Sequence, residues 1–288
     1  MGKLRSRLVP YLLILPGGLW LTVFFAMPLI FLLSMSIQTG NVTSGFAVTW
    51  HFAEYGLGLQ NYGAQFLRSL YYGGAATLLC ILLSYPTAYW IAFKGGARKS
   101  TYLFLILLPF FVSFVLRTIS WQYILADNGL VLGPLKSIGL LSQNFRILAT
   151  TWAVIGGLTY NYLPFMVLPI YVALERIDYR VVEAAQDLYA NKFEAFRRVV
   201  LPLSLPGVFA GVLLNFVPAA SDYVNAQVLG GPNNTMIGNI IQNQYLYNSD
   251  YPMGAALSFT LMAFLLIGIF AYARALGTEN VLEAAAAA

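Results

Sequence analysis

The sequence predicts an all-α integral membrane protein with six transmembrane helices and both ends on the same side of the bilayer. Three observations predict it. The 288 residues are 59% hydrophobic and 9% charged, with a mean hydropathy of +0.71, whereas a soluble domain carries about a quarter charged residues. The apolar residues gather in six runs long enough to cross a bilayer, and in lipid such runs satisfy their backbone groups as helices. The sixteen Lys and Arg residues cluster in alternate gaps between the runs, as membrane topology requires.

In chain order, Lys3, Arg5 and Arg7 precede a first span at about 8–37. Its apolar run is too long for a cleaved signal peptide and no small-x-small site follows, so it reads as a retained span with Pro16 and Pro28 near its ends or at kinks. A polar loop, 38–66, carries His51 and Glu54. Span two covers about 67–93 and is followed by a basic turn with Lys94, Arg98 and Lys99. Span three covers about 101–125 and span four about 147–174, with a glycine-containing loop at 126–146. A mixed-charge insert, 175–202, leads into span five at about 203–229. A second polar loop, 230–252, precedes span six at about 253–276. Residues 1–276 read as one transmembrane domain, and the alanine-rich 277–288 as an appended or unassigned tail.

Charge placement orients the chain. Lys3, Arg5, Arg7, Lys94, Arg98, Lys99, Arg176, Arg180, Lys192, Arg197, Arg198 and Arg274 fall on one side; Arg68, Lys136 and Arg146 fall on the other, and Arg117 lies within span three. Positive-inside sorting therefore puts both termini and the insert in the cytoplasm.

The insert is the longest charged interval in the chain. Asp178 is suited to cap a short helix through Glu183, Ala184 and Ala185. Asn191 is a candidate turn or left-handed residue. A second helix would carry Phe193, Phe196, Val199 and Val200 on one face, with Pro202 and Pro206 marking re-entry into the bilayer. The run Glu183-Ala184-Ala185, then Phe196, Leu201-Pro202 and Pro206-Gly207 resembles the EAA loop of the membrane subunits of binding-protein-dependent ABC importers. That resemblance implies a type I importer permease fold whose loop is a coupling helix for an ATPase subunit, with Glu183, Ala184, Ala185, Asp187, Tyr189 and Asn191 in the docking elbow. Tyr189 stands where the family usually has Gly. Because Tyr tolerates a left-handed turn poorly, the bend is expected at Asn191 instead.

Ionisable groups inside the spans carry the next signal, because charge in the bilayer is costly unless paired or solvated. Arg117 and Asp222 are the two candidates. Asn215, Pro218, Asp222 and Asn225 would share one helical stripe on span five, with Tyr223 beside it. Arg117 and Trp121 are four residues apart and placed to stack. Tyr160, Asn161 and Tyr162 form a polar-aromatic cluster on span four. The expected substrate pathway is therefore Asp222, Tyr223, Asn225, Asn215, Trp121, Tyr160, Asn161 and Arg117. The plainer alternative is that Arg117 and Asp222 neutralise each other, or that Arg117 reaches the outer interface.

Several function classes fare badly. One His and one Cys cannot build a His/Cys metal cluster, and no catalytic residue is assigned. Gly95–Ser100 lacks the spacing of a phosphate-binding loop. No basic stripe with interleaved aromatics suggests nucleic acid.

Leu163–Pro169, Glu183–Leu188, Ile237–Asn239 and Pro252–Ala256 are together similar to the first permease subunits of spermidine/putrescine importers. The resemblance implies a second, homologous permease subunit, two ATPase subunits carrying ATP and magnesium, an extracytoplasmic substrate-binding protein, and polyamine uptake by alternating access in the bacterial inner membrane. Asp222, Asp250, Asp127 and Glu54 on or near the outer side would suit a polycation. The alternatives are another small solute (a sugar, phosphate ester or amino-acid derivative), or an ion-driven secondary transporter, which would need more intramembrane carboxylates than Asp222.

Overall fold

Two prolines reveal how this chain keeps its long helices continuous. The computed structural model describes residues 13–275; Lys3, Arg5, Arg7, the start of span one, residue 276 and the tail 277–288 lie outside the described residues. Helix α1, Leu13–Ser36, contains a wide π turn at Thr22–Ala26, where Met27 N–H reaches back to the carbonyl of Thr22. Pro28 follows at once. A proline has no N–H and its ring crowds the carbonyl four residues earlier, and a widened turn relieves that clash. The same arrangement recurs at Phe196–Val200, just before Pro202, where Leu201 N–H bonds Phe196. Pro202 therefore marks no helix boundary. It sits within a helix that runs unbroken from Lys192 to Ser221.

A two-stranded antiparallel hairpin follows α1, β1 at Gln38–Asn41 and β2 at Gly45–Val48. The Asn41 side chain closes its turn by accepting the N–H groups of Thr43 and Ser44. The sequence reading had one polar loop here. Helix α2 then spans Ala53–Lys94, 42 residues, so much of that loop is helix. Span three is broken. Helix α3, Gly96–Phe111, and helix α4, Phe114–Ile124, meet at 88°. A short α5, Leu132–Ser137, precedes α6, Thr151–Glu175, capped by Thr150. Helix α7, Tyr179–Asp187, and helix α8, Lys192–Ser221, form the insert and span five. Helices α9 (Val224–Leu229), α10 (Ile237–Leu246) and α11 (Tyr251–Ala275) are the last helices among the described residues. Among the described residues, five helices are long and apolar enough to cross a membrane, and the count is six with the bent α3–α4 pair taken as one span.

The chain forms two compact units. One comprises the chain up to Gly63 with Ile240–Ala263; the other comprises Ala64–Asn239 with the chain from Phe264 on. In the first, Ser36 Oγ lies 2.8 Å from the Tyr55 hydroxyl, and Gln244 donates to Tyr62. In the second, the core brings Ile91 of α2 together with Met166, Ile170 and Leu174 of α6 and Val200 of α8. Helices α6 and α8 make the most extensive pair, and small residues allow it: a Cβ added at Gly207 would come 2.5 Å from Ala173 and the Pro169 carbonyl, and one at Gly211 would come 2.5 Å from Met166 Sδ. In lipid, where burial of apolar surface gives no drive between helices, such close backbone approach is a principal source of packing energy.

Candidate functional site: a coupling elbow and a buried polar network

Both candidate regions lie in the second unit. The elbow is built from two local stop-and-start signals. Asp178 accepts the N–H of Arg180 and starts α7. The helix ends with Ala190 N–H on the Ala185 carbonyl and Tyr189 N–H on the Gln186 carbonyl. That is the paired C-terminal bonding of a Schellman motif, which requires a left-handed residue after the last turn. Tyr189 occupies that position with φ +66°. The expectation that the bend would move to Asn191 is thus corrected. Tyr189 itself takes the left-handed conformation, at a cost of roughly 1–2 kcal/mol.

Asn191 has φ −71° and instead starts α8. Its Oδ1 accepts the N–H of Phe193 and of Glu194, while Glu194 accepts the N–H of Asn191. This reciprocal capping box is written in the sequence as Asn-x-x-Glu. Only Ala190 separates the two motifs, so the reversal between α7 and α8 is tight.

The elbow is anchored at its root and bare at its tip. Val182, Ala195 and Val200 are buried, and Phe196 packs edge-on against Tyr85 and Tyr89 of α2. Phe193 does not join this face, contrary to the four-residue stripe the spacing suggested; it is exposed together with Leu188 and Tyr189. Tyr189 is 98% exposed. Glu183, Ala184, Asp187 and Asn191 are exposed beside it, while Ala185 is half-buried.

The second region centres on the end of α8. Helix α8 stops at Ser221, and Asp222 is extended (φ −64°, ψ 132°). The single helix expected to 229 is therefore two, and Asp222 and Asn225 do not continue a helical stripe with Asn215. Asp222 begins α9, its Oδ1 accepting Asn225 N–H at 2.7 Å. Oδ2 accepts the Tyr162 hydroxyl at 3.0 Å and the Asn225 amide at 3.1 Å. The Asn225 Oδ1 in turn accepts from Asn161, which also donates to Thr118 Oγ1, each at 3.1 Å. Asn215 donates to the Tyr162 carbonyl at 2.9 Å. The chain of bonds ties α4, α6 and α8 to the break after α8. The Oδ1 atoms of Asn161 and Asn215 are buried without a hydrogen-bond partner among the described residues.

The structure thus brings Asp222, Asn225 and Asn161 together, with Asn215 attached through Tyr162. It leaves others apart. Tyr223 is partly exposed and Asn239 holds its carbonyl. Trp121 packs edge-on against Tyr160 with centroids 5.3 Å apart, not against Arg117. The guanidinium of Arg117 lies 4.5 Å over the Phe110 ring, and Asp222 makes no ion pair with it. Sequence reasoning gave no role to Thr118, Phe110 or Phe114; each is an ordinary residue on an apolar run, and only the packing of α4 against α6 shows Thr118 bonded to Asn161.

The outer carboxylates also differ in their availability. Asp127 is paired with Lys136 and Arg146, each at 3.1 Å, so it offers little to a polycation. In the first unit, Glu54 and Asp250 line an open cleft of about 330 Å³ with Gln38, Asn41 and Asn248.

Residues 6–275 match the sequence profile of a family described as "Binding-protein-dependent transport system inner membrane component". The chain belongs to this family. As a family member the permease is a multi-pass inner-membrane transport subunit. It is 37% identical over 258 residues to the spermidine/putrescine transport system permease protein PotB of Haemophilus influenzae, covering 89% of this chain and 90% of that one. It is 35% identical over 257 residues to the protein of the same name from Escherichia coli K12, covering 89% and 94%. Its fold is that of a bacterial ABC transporter involved in import of the acidic polysaccharide alginate, with a TM-score of 0.69 at 19% identity, covering 94% of the permease and 96% of that chain.

Proposed function

We propose that the permease forms the membrane channel of an ATP-driven polyamine importer, moving spermidine or putrescine inward by alternating access. The observation that carries the substrate is the 35–37% identity, over 89% of the chain, to two proteins named for spermidine/putrescine transport. The chemistry of the buried network agrees with it. Asp222 offers a carboxylate bonded only by neutral donors, with aromatic rings nearby, which suits a primary ammonium group.

In this reading the elbow at Glu183, Ala184, Ala185, Asp187, Tyr189 and Asn191 seats on an ATPase subunit. Its exposed apolar tip next to charged residues supports that role. A second permease, two ATPase subunits and an extracytoplasmic binding protein complete the machine, and ATP with magnesium is held by the ATPases. Asp222, Asn225, Asn161, Asn215, Tyr160, Trp121, Tyr223 and Arg117 are assigned to the substrate pathway or its wall.

The test is reconstitution. The permease with its partner subunits in proteoliposomes should accumulate labelled spermidine or putrescine when ATP and the binding protein are present. Uptake of a neutral sugar or a phosphate ester in preference to either polyamine would overturn the substrate assignment.

A further inference from the structure

Two buried charges in the second unit lie in contacting elements without meeting. Arg117 on α4 is 8% exposed, and its Nε and Nη1 have no hydrogen-bond partner among the described residues. Its charge faces the ring of Phe110 at 4.5 Å and that of Phe114 at 5.9 Å. Asp222 is 6% exposed, and its three side-chain hydrogen bonds all come from neutral donors. The Val224 N–H adds a further neutral donor, so no cation balances its charge among the described residues.

The two are linked through the fold. Helix α4 packs on α9, the helix that Asp222 starts. Thr118, next to Arg117 in sequence, connects to Asp222 through Asn161 and Asn225. On the other route, aromatic rings intervene: Phe114 lies 6.3 Å from Tyr162, and the Tyr162 hydroxyl bonds Asp222.

Opposite charges held apart in an apolar interior are unfavourable relative to a well-bonded pair. The face of a phenylalanine returns only part of the lost solvation. The backbone beside Arg117 is suited to motion. Val112 and Ser113 are both non-helical, and α3 meets α4 there at 88°, so rotation at two residues would carry the guanidinium off Phe110.

We propose that Arg117 is a built-in competitor for the substrate's ammonium group. In a second state of the importer its guanidinium leaves Phe110, pairs with Asp222 and expels the cation that the carboxylate had attracted. The carboxylate keeps a cationic partner throughout, first the substrate's ammonium and then the guanidinium, and the substrate leaves with its own charge. It accounts for a cation with unfilled donors beside a path for cations. The proposal rests on the polyamine reading above.

The test uses the complete importer in proteoliposomes, loaded with labelled spermidine and followed through ATP turnover. R117Q removes the competitor, so label should stay with the complex after hydrolysis where wild type releases it. R117K keeps the charge and should restore release. F110L removes the resting place of the guanidinium and should act in the opposite sense, lowering the amount of label the complex takes up before hydrolysis. Normal release by R117Q, equal retention by R117Q and R117K, or undiminished loading of F110L would each overturn the assignment. If R117Q does not assemble, F110L and R117K decide alone. Wild-type vesicles that take up neither spermidine nor putrescine overturn the substrate reading instead.

Discussion

Tyr162 donates its hydroxyl to Asp222 at 3.0 Å, so the carboxylate that begins α9 is held from α6. The same tyrosine offers its carbonyl to Asn215 of α8. One residue thereby fixes both sides of the break in span five.

Removing that hydroxyl leaves a buried carboxylate one donor short. Tyr162→Phe should destabilise the permease by roughly 1–3 kcal/mol. A lowered thermal midpoint in detergent would register this, with the change absent from a Tyr223→Phe control, whose side chain is partly exposed.

Asp222→Asn keeps the shape but removes the charge. Polyamine uptake should fall while assembly with the ATPase subunits persists, because the elbow is built from separate residues. Uptake at the wild-type rate would take Asp222 off the substrate path.

Tyr189→Gly separates strain from recognition. Gly accepts the left-handed position freely, so the permease should gain roughly 1 kcal/mol of stability. The exposed aromatic is lost at the same time, so binding to the ATPase subunit should weaken. A denaturation curve and a pull-down measure the two effects independently, and a drop in stability would contradict the strain argument.

Glu183→Arg reverses a charge on the exposed face of α7. ATP hydrolysis should continue with little accompanying transport. A wild-type ratio of solute moved to ATP consumed would remove Glu183 from the docking surface.

Gly211→Leu tests the α6–α8 seam. Even the first added carbon meets Met166 Sδ at 2.5 Å, so a loss of about 1–3 kcal/mol or more from overpacking is expected. The yield of folded, monodisperse protein reports it.

The sequence by itself determined the class, the apolar runs that become the long helices, and the start of the elbow. Apolar run length has a direct physical meaning in a bilayer, and the Asp178 cap on α7 bonds a residue only two positions on, so both are local properties. The Asn191–Glu194 capping box is equally local, although the reading of Asn191 as the bend missed it. Tertiary structure decided the rest. Asp222 caps α9 through Asn225 N–H only three positions on, but its bond to Tyr162, sixty positions away in the chain, is what ties that break to α6. Tyr189 adopts the left-handed turn because the bonds at the end of α7 and the cap on Asn191 leave one residue between them, and that geometry outweighs the local preference of a tyrosine. Arg117 and Asp222 looked like a natural ion pair by composition. Whether two buried charges meet depends on helix bends and intervening rings, which no periodicity in a single chain encodes.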